Sequence, residues 1–164
     1  MSSQKEEGAM ERSPQPDAVA DTEDFVTFTI AKQLFGIPVL KVQDVLSSHN
    51  ITRIPLAPPE IAGSLNLRGR IVTAMDVRLR LGLPARDRKA SMSIVAEHEG
   101  ELYSLMVDSV GEVLALKGSA WERNPPTLDP KFRDYSLGIY RLDDRLLVVL
   151  DVNRLLDYDR VQAA

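Results

Sequence analysis

An internal repeat is the sequence feature that most constrains the possible folds of this chain. At an offset of 75 residues, GSLNLRGRIVTAMDVRLRL aligns with GIYRLDDRLLVVLDVNRLL, and both the glycines Gly63 and Gly138 and the aspartates Asp76 and Asp151 coincide. At an offset of 68 residues, LFGIPVLKVQDVL aligns with LYSLMVDSVGEVL. Strand patterns do recur by chance, but two aligned blocks in the same order are much rarer. The chain is therefore predicted to hold two copies of one unit.

The repeated unit has the alternation of apolar and polar residues that is typical of short β-strands. Turn signals separate the strands into four predicted hairpins. These are FVTFTIA with LFGIPV, IAGSLNL with RIVTAMD, SMSIVAE with LYSLMVD, and YSLGIYRL with RLLVVLD. The helical segments DVRLRLGLP and DVNRLLDY are brief. The predicted fold class is all-β, with two small barrels packed together and few helical turns; each copy supplies a hairpin, a Val-x-acidic-Val-Leu segment, a proline-rich connector, a second hairpin and a short helix.

The two ends of the chain differ from this repeated region. Residues 1–23 are polar, acidic and proline-bearing, so they are predicted to form a disordered tail that cannot bury enough surface to fold. The folded domain is expected over residues 24–159, followed by a C-terminal tail at 160–164. The N-terminus has no long apolar run, so neither a signal peptide nor insertion into a membrane is expected. The absence of cysteine excludes disulfides and thiol chemistry, and it favours the cytoplasm.

Residues that could support catalysis or bind a metal are few. His49 and His98 lie in polar segments without spaced partners, so they are predicted to be solvated side chains. Asp76 and Asp151 could be read as an acid–base pair, but each ends an apolar strand and opens a short helix, which favours N-capping. We therefore predict no catalytic residue, no metal ligand and no cofactor, and an enzyme is not expected.

The charge balance bears on a second class of function, a small barrel that binds nucleic acid. The chain has a net charge of −4, a pI near 5.2 and 5% aromatic residues, whereas such barrels need basic strands with exposed aromatic side chains. The segment RLRLGLPARDRK, residues 78–89, is locally basic. It could meet an acidic surface, but a solvated helix face and loop is the favoured interpretation.

One turn in the first copy departs from the repeat. Gly69 suits a tight turn, and Gly63 predicts a bulge or a close backbone approach at the edge of a strand. Arg68 has Asp143 as its counterpart, so its role is not shared by the two copies. Asp44, in VQDVL, is the acidic residue best placed to meet Arg68. The pair is either a surface ion pair worth less than about 1 kcal/mol or part of a binding face.

These segments resemble the CheW-like family of coupling proteins in bacterial chemosensory arrays. The similarity runs from about Phe25 to Tyr158, and the block IAGSLNLRGRIV, followed by an aspartate and an RLRLGL helix, is its most specific part. The resemblance implies two intertwined five-stranded SH3-like barrels around a hydrophobic core. It also implies a non-catalytic adaptor that binds the regulatory domain of a CheA-type histidine kinase and the cytoplasmic tip of methyl-accepting chemotaxis receptors.

The same resemblance implies where this protein would bind its partners. The first barrel would face the kinase, the groove between the barrels would take a receptor helix, and other CheW-like domains would be further partners in array rings. The protein would then sit in the cytoplasm, at the inner face of the membrane, through the receptor arrays. The residues that match the positions of the coupling function are Val42, Asp44, Ser47, Gly63, Arg68 and Gly69.

Two positions depart from the pattern of the family. Asp44 replaces the usual glutamate and is one methylene shorter, so a contact with Arg68 is expected to need a closer backbone or a bridging water. Thr73 replaces a usual proline and restores a backbone donor, so strand pairing there is expected to be at least as good. Neither change threatens the predicted fold.

Overall fold

The computed structural model describes residues 21–47, 50–86 and 91–157. These residues form eleven strands and three single-turn α-helices, in the following order: β1 Thr22–Ile30, β2 Gln33–Pro38, β3 Val42–Leu46, β4 Ile61–Leu67, β5 Arg70–Asp76, α1 Val77–Arg80, β6 Met92–His98, β7 Glu101–Val107, β8 Ser109–Lys117, β9 Trp121–Glu122, α2 Pro130–Arg133, β10 Ser136–Arg141, β11 Leu146–Leu150 and α3 Val152–Leu156. Within the described ranges, no helix has the length and apolar character needed to span a membrane.

The four predicted hairpins are confirmed. Strands β1 and β2, β4 and β5, β6 and β7, and β10 and β11 pair antiparallel. The first turn is centred on Ala31 and Lys32, with φ of 52° and 70°. The predicted strands FVTFTIA and LFGIPV had left Lys32 and Gln33 for this turn, so it lies one residue earlier than predicted. Thr73 lies within a paired strand, opposite Ser64 on one side and Tyr103 on the other, as expected from its free backbone donor.

The aspartates that open the helices act as N-caps. The Asp76 side chain accepts a hydrogen bond from the backbone N–H of Leu79, and the Asp151 side chain accepts one from Arg154. Each bond satisfies a helix donor that has no partner inside the helix. The capping interpretation is therefore confirmed in both copies.

The predicted tail overlaps the first strand by a short distance. Residues 1–20 and 158–164 lie outside the described residues, so the disorder expected of the tails stays a prediction there. Strand β1 already begins at Thr22, because this residue pairs with Lys117 at the far end of β8. The ladder thus extends into a segment whose composition alone did not indicate a strand.

The two copies exchange their first hairpins. One sheet has the order β3-β6-β7-β5-β4 and forms the first barrel; the other has the order β8-β1-β2-β11-β10-β9 and forms the second barrel. Hairpin β1–β2 of the first copy therefore pairs with strands of the second copy, and hairpin β6–β7 makes the reverse exchange. The two barrels are therefore intertwined, as the resemblance implied, whereas the repeat alone did not show which hairpin joins which barrel, because these pairings are not local.

The strand registers repeat with the same offsets as the sequence. Strand β3 pairs Val42 with Ala96 and skips a residue before Asp44, and β8 pairs Val110 with Phe28 and skips before Val113. Strands β4 and β10 both shift register just before their glycines, Gly63 and Gly138. The two barrels therefore carry β-bulges at equivalent positions.

Apolar side chains form a shared core and one smaller core in each barrel. The shared core lies between the sheets and joins both copies, for example through Phe28 stacked on Phe35 with ring centroids 5.5 Å apart, together with Leu105 and Leu155. Leu65 and Val72 belong to the core of the first barrel, and Phe25, Leu147 and Val149 belong to that of the second. This packing fixes the barrels against each other and positions the turns and grooves described below.

Candidate functional site

The turn between β4 and β5 presents Arg68 to solvent. Leu67 pairs with Arg70, so Arg68 and Gly69 form a two-residue loop, with φ of 51° and 85°. Positive φ at both positions defines a type I′ turn, whose twist matches that of the flanking strands. The Asn66 side-chain oxygen accepts a hydrogen bond of 3.0 Å from the Gly69 N–H and supports the loop. The turn role predicted for Gly69 is confirmed.

Arg68 meets Asp44 directly. The Nη2 atom of Arg68 lies 2.9 Å from the Oδ2 atom of Asp44; the arginine side chain is 76% exposed and that of the aspartate 25%. The other oxygen of Asp44, Oδ1, accepts a bond of 2.8 Å from the N–H of Val45. The pairing predicted from the sequence is confirmed. The shorter aspartate needs no bridging water, because the two side chains are already in direct contact.

The geometry makes this pair electrostatic rather than tightly hydrogen-bonded. Among the described residues, Asp44 Oδ2 is shielded from solvent and accepts no well-aligned hydrogen bond, although the Arg68 guanidinium covers it. An exposed ion pair of this kind contributes at most about 1 kcal/mol to stability. Arg68 is therefore free to exchange part of this contact for one with a binding partner.

The equivalent turn in the second barrel is built differently. Leu142 donates its N–H to the Arg145 carbonyl at 2.9 Å, and neither central residue, Asp143 or Asp144, has positive φ. The counterpart of Asp44 is Glu112, which makes no salt bridge in the described part of the chain. The cation over an acidic β-bulge is thus specific to the first barrel.

Gly63 does not contact Arg68 and lies instead at the bulge of β4, where the chain approaches Thr52 closely. It is buried at the bulge of β4, with φ of 150°, and a Cβ there would overlap the Thr52 carbonyl and lie 2.7 Å from Ile51. Thr52 and Ser64 exchange two backbone hydrogen bonds of 2.8 Å beside it. Five residues of strand separate Gly63 from Arg68, or about 16 Å at the usual rise. The predicted close approach and bulge are both confirmed.

The remaining predicted site residues lie along β3. Val42 is half-buried and packs against the shared core, while Ser47 is exposed directly after the strand. The structure therefore brings Asp44, Arg68 and Gly69 together, places Val42 on the strand that carries Asp44 and Ser47 directly after it, and separates Gly63. Val45, whose side chain points to the other face of β3 from that of Asp44, is 39% exposed.

The basic segment that starts at Arg78 is not the solvated face that the sequence suggested. Arg78 donates to Asp108 at 2.8 Å, and Arg86 lies 3.1 Å from the same carboxylate, which also accepts the N–H of Ala31. Arg80 is 6% exposed and donates to the Leu155 carbonyl at 2.9 Å. These arginines connect the two barrels; residues 87–90 lie outside the described residues. A buried acceptor distant in sequence gives no local signal, so the pattern alone could not show this.

A groove lies open between the barrels on the side opposite this arginine cluster. The repeat equates Asp108 with Leu40 and Arg78 with Asn153, so the closing ion pair has no counterpart there. Leu40 is 93% exposed and directly precedes Lys41, which lines the groove. The groove has a volume of about 590 Å³ and is lined by Lys41, Glu97, His98, Glu99, Asp151, Asn153, Arg154 and Asp157. Sequence reasoning missed these residues, although the mismatch of Leu40 with Asp108 was a visible signal.

The histidines do not form a metal site in the described residues. The His98 side chain is 11% exposed, with Nε2 lying 3.7 Å from Glu99 Oε2, so it is less solvated than predicted. His49 lies outside the described residues. Across the described ranges, no group of three or more histidine, cysteine, aspartate or glutamate side chains could hold a metal ion. The described side chains of these sites can therefore bind a partner by charge pairing and surface contact.

Comparisons with known proteins match this architecture. The family model described as "CheW-like domain" matches residues 24–160. Chemotaxis protein CheW of Bacillus subtilis is 30% identical over 145 residues, covering 87% of this chain and 92% of its own. Chemotaxis protein CheW of Helicobacter pylori is 28% identical over 156 residues, covering 91% and 94%.

A solved structure agrees with the fold. The crystal structure of the scaffolding protein TtCheW from Thermoanaerobacter tengcongensis superposes with a TM-score of 0.74 at 31% identity, covering 84% of this chain and 94% of that one. The all-β fold of two intertwined barrels is therefore confirmed. The chain belongs to the CheW-like domain family, and with it to the non-catalytic scaffold proteins of chemotaxis.

Proposed function

We propose that this protein couples methyl-accepting chemoreceptors to a CheA-type histidine kinase in bacterial chemotaxis or a related chemosensory pathway. Membership of the CheW-like family supports the adaptor role. The observation that carries the finer proposal is the exposed Arg68, which is held 2.9 Å from Asp44 in one barrel only. A feature needed only for the β-bulge beside it would be expected in both barrels, because both carry that bulge at equivalent positions.

The kinase contact is assigned to the face of the first barrel around this pair. Arg68 offers a mostly exposed guanidinium over Asp44, and the exposed Val45 and Ser47 lie one and three residues further along the chain from Asp44. A charged group at the rim of an interface fixes orientation and raises the association rate more than it adds affinity. Val42 and Gly63 would support this surface indirectly. Val42 packs against the shared core, and Gly63 lies at the bulge of β4.

The receptor contact is assigned to the open groove between the barrels. Its lining is charged, with Lys41 and Arg154 among several carboxylates. Leu40, directly before Lys41, supplies an exposed apolar side chain. A helical tip with charges on one face and a leucine-sized residue beside them suits such a groove.

Binding to receptors and kinase would place the protein in the cytoplasm, at the inner face of the membrane within receptor arrays. Other CheW-like domains would be neighbours in the rings of such arrays. No cofactor is needed for any of these contacts, since each uses only side-chain charge and shape.

The nucleic-acid-binding alternative has little support. The strand aromatics Phe25, Phe28, Phe35 and Tyr140 are buried in the cores, so they cannot stack on bases. Trp121 is partly exposed, but its indole N–H donates to the Leu137 carbonyl at 3.2 Å. The net charge of −4 also opposes a phosphate backbone.

The test uses two neighbouring arginines of the same hairpin. Arg68→Glu reverses the charge at the proposed contact, and Arg70→Glu is the matched control, since Arg70 is exposed and has Arg145 as its counterpart. We expect Arg68→Glu to abolish kinase activation in arrays reconstituted from receptor, kinase and this protein, and Arg70→Glu to retain most of it. Normal activation by both variants would refute the assignment.

A further inference from the structure

The second barrel contains a cleft at the position that Arg68 covers in the first. Glu112 occupies the place of Asp44, beside the equivalent bulge, and the turn that faces it carries Asp143 and Asp144 instead of an arginine and a glycine. A cleft of about 480 Å³ remains open between β8 and the β10–β11 turn. The two barrels thus share the bulge that carries the carboxylate, which a guanidinium covers in the first barrel and an open cleft adjoins in the second.

The lining of this cleft combines apolar side chains with carboxylates. Leu34, Leu114 and Leu142, which belong to or pack against the core of the second barrel, supply the apolar part of the lining, and Glu112 and Asp144 supply the carboxylates. The backbone of Glu112 is fixed, because its carbonyl accepts a bond of 2.6 Å from the Thr27 hydroxyl.

The charged side chains around the cleft are not paired with one another. In the part of the chain that the structure describes, neither Glu112 nor Asp144 makes a salt bridge. Arg145, which also lines the cleft, donates to the Lys32 carbonyl at 3.4 Å. The carboxylates are therefore available to an external cation.

We propose that this cleft binds the side chain of an arginine that a partner protein presents on a hairpin turn. The guanidinium would take the place over Glu112 that Arg68 takes over Asp44 in the first barrel. The long aliphatic stem of an arginine suits the leucine side chains of the lining. Its planar guanidinium can bond to two carboxylates, which the compact ammonium group of lysine does less well. The site concerns a different barrel from the proposed kinase face, so either proposal can fail alone.

The first experiment titrates the full-length protein with a cyclised hairpin peptide that carries one arginine at its turn. Matched peptides carry lysine or the neutral isostere citrulline at that position. Amide chemical shifts report binding, and we expect them to move at Gly111 and Leu142, which line the cleft. Glu112→Gln removes one charge-assisted contact, so it should raise the dissociation constant of the arginine peptide about tenfold. Glu101→Gln, at an exposed position in the first barrel, is the control and should bind as the wild type does.

A second variant fills the cleft from within. Asp143→Arg combined with Asp144→Gly writes the Leu-Arg-Gly-Arg turn of the first barrel into the second. We expect this variant to stay folded and to lose binding of the arginine peptide, because its own guanidinium covers Glu112.

Any one of four results would refute binding of an arginine in this cleft. No binding to the wild-type protein, equal binding of the citrulline or lysine peptide, equal binding by Glu112→Gln, or undiminished binding by the filled variant would each overturn it. Weakening by Glu112→Gln together with loss in the filled variant supports it, whatever the kinase assay shows.

Discussion

Arg68 and Asp44 lie at opposite edges of one five-stranded sheet, and their side chains meet at 2.9 Å. Arg68 stands on the turn after β4, the last strand of the sheet, and Asp44 lies in β3, the first. The contact therefore marks where the first barrel closes. Its high exposure makes it energetically small, so its position on the surface matters more than its contribution to stability.

The Arg68→Ala variant is expected to separate folding from coupling. Removing an ion pair whose arginine is 76% exposed should change the free energy of unfolding by less than about 1 kcal/mol. Urea denaturation measures this change, and kinase activation in reconstituted arrays should nevertheless fall strongly. Arg70→Ala serves as the control and should affect neither. A large loss of stability in Arg68→Ala would instead make the residue structural.

Substitutions of Asp44 should depend on charge rather than length. Asp44→Glu keeps a carboxylate that can reach Arg68, so we expect near-normal retention of the kinase in a pull-down. Asp44→Arg places a second cation beside Arg68 and removes the acceptor of the Val45 N–H bond, so retention should be lost. If both variants retain the kinase equally, Asp44 does not contribute to the contact.

Two glycines of the same hairpin should respond differently to alanine. At Gly63 the added Cβ would overlap the Thr52 carbonyl and the backbone has φ of 150°, so Gly63→Ala should cost about 3 kcal/mol or more. At Gly69 no atom lies within 4 Å of the added Cβ, and only the φ of 85° is penalised, by about 1 kcal/mol. Thermal unfolding of both variants compares the two costs, and similar losses would argue against the close approach at Gly63.

The arginine cluster around Asp108 should hold the barrels together. The Asp108 side chain is 12% exposed and contacts Arg78, Arg86 and the N–H of Ala31. Asp108→Asn removes the charge between two arginines, so we expect a loss of about 2 kcal/mol in the free energy of unfolding. Asp143→Asn, at an exposed position without a salt bridge among the described residues, should leave stability unchanged. Equal midpoints of denaturation for the two variants would contradict this role.

The local elements and the asymmetric turn could be predicted from the sequence because their signals are local. The hairpins follow from alternation, the caps of Asp76 and Asp151 from their place before short helices, and the special character of Arg68 from its mismatch in the repeat. Asp44 could also be predicted as the partner of Arg68, because the repeat places the VQDVL segment beside the hairpin that carries Arg68.

Features that depend on how the two copies pack could not be predicted in the same way. Exchanged and unexchanged hairpins satisfy the same alternation, so the pattern does not distinguish them. The burial of Arg78 and Arg80 depends on Asp108 and Leu155, which come from the other copy. The open groove exists because Leu40 stands where Asp108 stands in the other half, and only the assembled fold gives that mismatch a consequence.

The exchanged hairpins also determine when the chain can fold as it leaves the ribosome. The first barrel needs β6 and β7, so it cannot close before Val107 has emerged; the second needs β11, so it must wait for Leu150. Hairpin β1–β2 is made first and remains without its permanent neighbours until β8 and β11 appear. Because pairing between such distant segments is slow, this nascent protein must protect an exposed apolar hairpin for most of its synthesis.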